Sequence, residues 1–367
     1  MERILEIKNL SKDYAGFKLD NVSFSLKRGY IMGFIGPNGA GKTTTIKLIM
    51  NLIKRSSGEI KIFGLDNLKD EKEVKNRIGF VYNDCNFYEN FSLIDNAKVI
   101  ADFYEDWSWK DFDNYLNRFK LNKNQKAKEL SKGMKIQFAL AIALSHNAEL
   151  LIMDEPTSGL DPIFRHEIVN ILQEYIEDGK RSILFSTHII SDIEKMADYI
   201  TFINKGKLVF SEEKTILEDT YRIVKGGLDI LDSNIENECI RIKKNKYGFS
   251  GLTLNHEKLQ AMYGSNIIVD KPNIEEIIIV LCCICRCCIH YCRQPYSERK
   301  YRRKFYSNEK SSFATKKHSD WFLYVFCSNY YHHSFSCQYI SCGEICIRWE
   351  YHIFQVNIYN QYSILHF

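Results

Sequence analysis

The sequence predicts an α/β fold, a mostly parallel sheet with helices on both faces, and three observations carry that expectation. Apolar strand-like runs alternate with helical spacing along the chain. Two of those runs, Ile31–Ile35 and residues 150–153, are apolar throughout, as strands buried on both faces are. Between the first run and a helical pattern over residues 44–52 lies Gly36-Pro37-Asn38-Gly39-Ala40-Gly41-Lys42-Thr43, a strand, glycine-rich turn and helix in the order Gly-x-x-x-x-Gly-Lys-Thr.

Each element follows in order. Residues 1–30 alternate apolar and polar in short runs broken by Asp-Tyr-Ala-Gly and Lys-Arg-Gly, which predicts antiparallel strands. After the glycine-rich turn and its helix, Ser56-Ser57-Gly58 turns the chain into a strand over residues 59–62, and Ile78-Gly79-Phe80-Val81-Tyr82 reads as another. Residues 88–147 carry helical spacing without strand signals. Trp107, Trp109 and Phe112 cluster there and are expected to pack in a core or interface rather than cage a ligand. Beyond the run at 150–153, helices are expected at 164–177 and from Ser191, with a strand at 182–186 between them.

The glycine-rich turn predicts the ligand. Backbone N–H groups and the helix N-terminus point at an anion there, and glycine lets the chain approach phosphates closely. Lys42 is placed to reach β- and γ-phosphates and the Thr43 hydroxyl to ligate Mg²⁺, so the chain is expected to bind a nucleoside triphosphate. Asp154 and Glu155 close a buried strand and admit two readings. In one, Asp154 holds Mg²⁺ through its water shell and Glu155 polarises the attacking water; in the other, they cap a helix ahead of Pro156 and Thr157. His188 follows the strand at 182–186 and is expected at the same sheet edge.

Bulk properties exclude several classes. The net charge is +4, yet the first 280 residues hold 39 Lys and Arg against 41 Asp and Glu, so no basic signature for nucleic acid is present. Met1-Glu2-Arg3 leads straight into strand-like alternation, so no signal peptide is expected. The longest apolar stretch, residues 277–285, falls well short of the ~20 residues of a membrane-spanning helix.

Taken together these motifs resemble the nucleotide-binding domain of ATP-binding cassette (ABC) transporters, over roughly residues 1–220. Gly36 to Thr43 is similar to the family's Walker A loop, Leu150 to Asp154 to Walker B, Ser158-Gly159-Leu160-Asp161 to the D-loop and Leu130-Ser131-Lys132-Gly133-Met134 to the signature sequence. The resemblance implies a P-loop NTPase ABC cassette: a mostly parallel sheet core, an antiparallel β subdomain and an α-helical subdomain at about 88–147. It implies Glu155 as catalytic base, His188 as switch residue and Lys42 on the phosphates, with Gly36, Asn38, Gly39, Gly41, Lys42, Thr43 and Thr44 around the nucleotide. Tyr14 stands where an aromatic stacks on adenine. Thr43, Asp154 and Asn83 stand at the Mg²⁺ position, although the family's usual glutamine is Asn83 here, one methylene shorter. The signature carries Lys132 and Met134 where Gly and Gln are common, but keeps Ser131 and Gly133, which in the family contact ATP on the opposite subunit. The implied protein is therefore a cytoplasmic ATPase working as a homodimer or heterodimer. It would sit peripherally at the inner face of the membrane on a separate integral permease, in an exporter-type system of the multidrug or antibiotic-resistance kind. Alternatives are a soluble cassette protein without a permease and a regulatory cassette that only binds nucleotide.

Residues 221–280 read as a small β-rich accessory extension. Residues 281–367 differ in character: ten of the twelve cysteines and eleven of the twenty-two tyrosines lie there, with one alanine, one glycine and no methionine. Cys282, Cys283, Cys285, Cys287, Cys288 and Cys292 match no clean paired Cys-x-x-Cys knuckle. A disulfide framework is at odds with a reducing compartment. The favoured expectation is an out-of-frame translation beginning near residue 278, poorly packed or disordered, since no helical or strand period is sustained.

Overall fold

The computed structural model describes residues 2–82 and 86–284. Strands β1 (Arg3–Tyr14) and β2 (Phe17–Lys27) form an antiparallel hairpin that closes at Tyr14 and Phe17, as the alternation of residues 1–30 predicts. Strand β3 (Ile31–Ile35) enters the interior with every residue buried, and helix α1 (Lys42–Ile49) leaves the glycine-rich loop. Strands β4 (Ser57–Ile62) and β5 (Leu65–Asp66) return to the hairpin and complete an antiparallel sheet of order β2-β1-β4-β5. Helix α2 (Glu71–Asn76) and strand β6 (Ile78–Val81) follow.

The stretch expected to be helical holds α3 (Leu93–Ala101), α4 (Trp109–Arg118) and α5 (Lys132–Ala143). Each begins at a serine, Ser92, Ser108 or Ser131, whose hydroxyl accepts a hydrogen bond from a first-turn N–H. Trp107, Trp109 and Phe112 meet edge-on or tilted: Phe112 is fully buried in the core against Phe138 of α5, Trp107 packs half-buried on that core, and Trp109 stays exposed at its edge. His146 closes this layer onto the sheet, with its ring nitrogens 3.0 Å from the Ile78 carbonyl of β6 and 3.2 Å from that of Ile142.

Then come β7 (Leu150–Asp154), α6 (Pro162–Ile176), β8 (Ser182–Thr187), α7 (Ile190–Met196), β9 (Tyr199–Asn204) and β10 (Lys207–Glu213). They build a six-stranded sheet of order β10-β9-β3-β8-β7-β6, parallel except for β10. Side chains alternate across it. Ile31, Ile35, Leu151 and Met153 join the core under the helices, whereas Met32, Phe34, Leu150 and Ile152 join the core shared with the antiparallel sheet. Gly33 permits a close approach: a Cβ there would lie 2.2 Å from Ile193 Cδ1, so the missing side chain lets α7 settle on β3.

Helix α8 (Lys214–Thr220) leads into a third sheet. Strand β11 (Arg222–Gly226), helix α9 (Ser233–Glu238), strands β12 (Cys239–Asn245) and β13 (Gly248–Thr253), helix α10 (His256–Tyr263) and strand β14 (Ile267–Asp270) follow in turn. The sheet is antiparallel with order β12-β13-β11-β14. The β-rich extension is thus present, with helices α9 and α10 between its strands that its sequence pattern does not announce. Helix α11 (Ile274–Ile284) ends the described residues, runs across the boundary expected at 280, and joins the same core as α7 and α8 through Ile277, Ile278 and Leu281. Among the described residues no helix is long and apolar enough to cross a membrane. Of the tail expected to be frameshifted, residues 285–367 lie outside those described.

Candidate phosphate-binding site

The site grows from the carboxyl ends of β3, β7 and β8, which stand side by side in the sheet. After β3 the chain turns tightly, with the Ala40 N–H donating to the Pro37 carbonyl at 3.1 Å. Gly39 and Gly41 adopt φ values of 76° and 111°, which favour glycine. A Cβ on Gly41 would also press within 3.1 Å of Leu19 and Phe17. The turn delivers α1 with Lys42 as its first residue, 5% exposed. Its ammonium donates to the Gly36 carbonyl at 2.7 Å and lies 3.1 Å from Glu155 Oε1.

Below it, Asp154 ends β7 almost fully buried. Thr43 Oγ1 donates to one carboxylate oxygen at 2.9 Å and Ser186 Oγ to the other at 2.5 Å. Burial foremost pushes the Asp154 carboxyl above the usual carboxylate range; the Ser186 and Thr43 hydroxyls oppose that, Glu155 adds to it and Lys42 opposes it. Glu155 follows at φ 52°, left-handed for a non-glycine residue. Its N–H is held by the Ser186 carbonyl at 3.1 Å and hydroxyl at 3.0 Å. Its second oxygen, Oε2, meets His188 Nδ1 at 2.7 Å. A carboxylate only accepts, so Nδ1 carries the proton in that contact and Nε2 is left for other partners.

These groups share a cavity of about 540 Å³ lined by Phe17, Pro37, Asn38, Gly39, Gly41, Lys42, Thr43, Thr44, Glu155, Ser158 and His188. Most sequence-expected residues therefore come together in one place. Gly36 contributes its carbonyl to Lys42 rather than lining the space. Asp154 lies beneath, through Thr43. The helix-cap reading of Asp154 and Glu155 fails, because the next helix, α6, is capped by Asp161, whose carboxylate accepts from the Phe164 N–H at 2.9 Å.

Other expected residues stand apart. Tyr14 is 46% exposed and absent from the lining; Phe17, across the hairpin turn with ring centroids 6.5 Å away, is the aromatic that faces the cavity. Phe17 carries no sequence signal of its own, since one aromatic among alternating residues looks like any strand position. Ser158 was legible as part of the Ser158-Gly159-Leu160-Asp161 segment. Ser131 and Gly133 do not line this cavity; Ser131 caps α5 by accepting from the Met134 N–H at 3.3 Å. Asn83 lies outside the described residues.

Comparison with known proteins agrees with this geometry. A family model described as ABC transporter matches residues 19–158. The chain is 38% identical over 212 residues to the bacitracin transport ATP-binding protein of Bacillus licheniformis, covering 57% of this chain and 69% of that protein. It is 36% identical over 213 residues to a lantibiotic transport ATP-binding protein of Streptococcus pyogenes, covering 57% and 91%. A solved structure of the ATP-binding subunit of an ABC transporter superposes with TM-score 0.55 at 28% identity, covering 59% of this chain and 92% of that one.

Proposed function

Because the chain belongs to the ATP-binding proteins of the ABC transporter family, and is therefore an ATP-hydrolysing transporter subunit, we propose that Lys42, Glu155 and His188 carry its chemistry within the cavity under the glycine-rich loop. The observation that supports this most is the double contact of Glu155, with Lys42 on one oxygen and His188 on the other. Phosphate oxygens would compete with Glu155 for the Lys42 ammonium, transferring that buried cation to the γ-phosphate. The Glu155 carboxylate would then accept a proton from the attacking water as its oxygen bonds to the γ-phosphorus and the bridging oxygen departs with ADP. His188 would orient Glu155 through Nδ1 and offer Nε2 to the γ-phosphate.

Thr43 and Asp154 fit Mg²⁺. They form an all-oxygen donor set, and the buried carboxylate is held above its ordinary pKa, a condition that a divalent cation relieves. When bound, the cation supplies charge neutralisation of the phosphates. Phe17 would present aromatic surface to the base, with Tyr14 beside it across the hairpin turn and outside the cavity lining.

We further propose a dimer in which Ser131 and Gly133, at the N-terminus of α5, meet the nucleotide of the partner. Residues 1–220 would be the cassette and 221–280 an accessory extension. The assembly would sit peripherally on the inner face of the membrane through a separate permease. The relatives named for bacitracin and lantibiotic transport support export of a peptide antibiotic as the process driven, with the permease choosing the substrate. The deciding experiment is steady-state ATP turnover. Glu155→Gln should lower kcat by roughly 10²–10⁴ while nucleotide still binds, and Lys42→Ala should abolish binding. Wild-type turnover in Glu155→Gln would remove Glu155 from the role of base.

A further inference from the structure

Thr157 and Asp192 are each 1% exposed, and the Thr157 hydroxyl donates to Asp192 Oδ2 at 2.6 Å. No ion pair reaches Asp192 among the described residues. A carboxylate so deeply buried on a single hydroxyl is a poor device for stability, since an apolar side chain of similar volume would avoid its desolvation. Its location suggests another use. Thr157 lies two residues beyond Glu155 and directly before Ser158, which lines the cavity. Asp192 lies four residues beyond His188 on α7, the helix seated on β3 opposite Gly33. The bond therefore joins the loop that carries Glu155 to the helix that follows His188.

Backbone geometry gives the joint a task. Glu155 is held in a left-handed conformation, and its N–H, on its amino-terminal side, is fixed by Ser186. A strained residue persists only when the chain on both sides is constrained. Downstream the constraint falls on Thr157: its hydroxyl is held by Asp192, and its carbonyl accepts from Arg165 Nη2 at 3.4 Å. The same loop continues to Leu160, whose Cδ2 lies 3.5 Å from where a Cβ on Gly133 would stand, so its position also bears on the start of α5.

We propose that the Thr157–Asp192 hydrogen bond is a latch that fixes the loop 155–161 against α7 and so aligns Glu155 with His188. Both are positioning residues, and the proposal rests on the assignment of Glu155 and His188 above. The test is ATP turnover as a function of ATP concentration, with thermal melting, in the full chain carrying Thr157→Val, Asp192→Ala, both together, and Thr157→Ser. Loss of the latch should lower kcat by about 10- to 100-fold, the scale on which small misplacements act, with KM within about threefold. The double variant should be no slower than the slower single one, because both remove the same bond. Thr157→Ser, which keeps the hydroxyl, should recover most of the rate. A kcat for Thr157→Val close to wild type, or losses that multiply in the double variant, would overturn the latch, as would a lowered melting temperature with kcat unchanged. If Asp192→Ala does not fold, the near-isosteric Thr157→Val and its serine counterpart still decide. Failure of the Glu155 assignment shows separately, as undiminished turnover in Glu155→Gln.

Discussion

Asp154, proposed above to hold Mg²⁺, stands where burial works against stability. Burial, with Glu155 beside it, holds its carboxyl above the usual range despite two hydroxyl donors. A carboxyl with a raised folded-state pKa contributes its full stability below the unfolded carboxylate range, and that contribution is lost as pH rises through the folded value. Asp154→Asn should therefore raise the melting temperature in Mg²⁺-free buffer at neutral pH, with the gain shrinking as pH falls into the acid range. The same change should cost turnover about 10²-fold or more, because the charge that would neutralise the cation is gone. Melting curves at several pH values together with turnover check both parts. A melting temperature that drops at neutral pH would mean that the two hydroxyl contacts outweigh desolvation. At this scale the sequence was informative where a motif forces a backbone path: Lys42, Thr43 and Glu155 stand where the loop and the strand end deliver them. It was silent about Phe17, whose approach to Gly41 depends on how the hairpin folds over α1.

Among the elements, α11 has the clearest consequence. Ile274, Ile277, Ile278, Val280 and Leu281 are all 8% exposed or less and share a core with Ile193 and Met196 of α7. Burial of such a side chain contributes roughly 1.5–3 kcal/mol, so the helix stabilises the scaffold directly behind His188. A chain ending at Asp270 should lose several kcal/mol on that scale, with a lower melting temperature or aggregation, whereas one ending at Ile284 should melt like the full chain and keep its turnover. Equal melting of the two shortened chains would show that α11 does not brace α7. The apolar stretch here is too short for a membrane span, and the composition of the sequence puts a boundary at 280, inside the helix. Composition changes near that point while the helical apolar face continues, and only packing against α7 and α8 shows where the fold uses it.

For the whole molecule, Asn38, Gly39 and His188 line the cavity and are exposed, and Ser131 and Gly133 lie outside that lining. Under the dimer proposal, ATP and Mg²⁺ should convert the Glu155→Gln chain from monomer to dimer on sedimentation, and Lys42→Ala should remain monomeric. A Glu155→Gln chain that stays monomeric at saturating ATP would count against a shared site. The strand order shows how far sequence reaches. Apolar runs with a Gly-Lys-Thr loop between strand and helix determined the parallel α/β class, pointed to a phosphate ligand and singled out Lys42, Asp154, Glu155 and His188 as candidates. Those features are local, set by period, turn chemistry and residue type over a few positions. The tertiary structure alone decided that β3, β7 and β8 are neighbours, that Glu155 bridges Lys42 to His188, and that Thr157 finds Asp192 thirty-five residues away. Those contacts depend on which buried faces meet across the sheet, and no local pattern encodes that pairing.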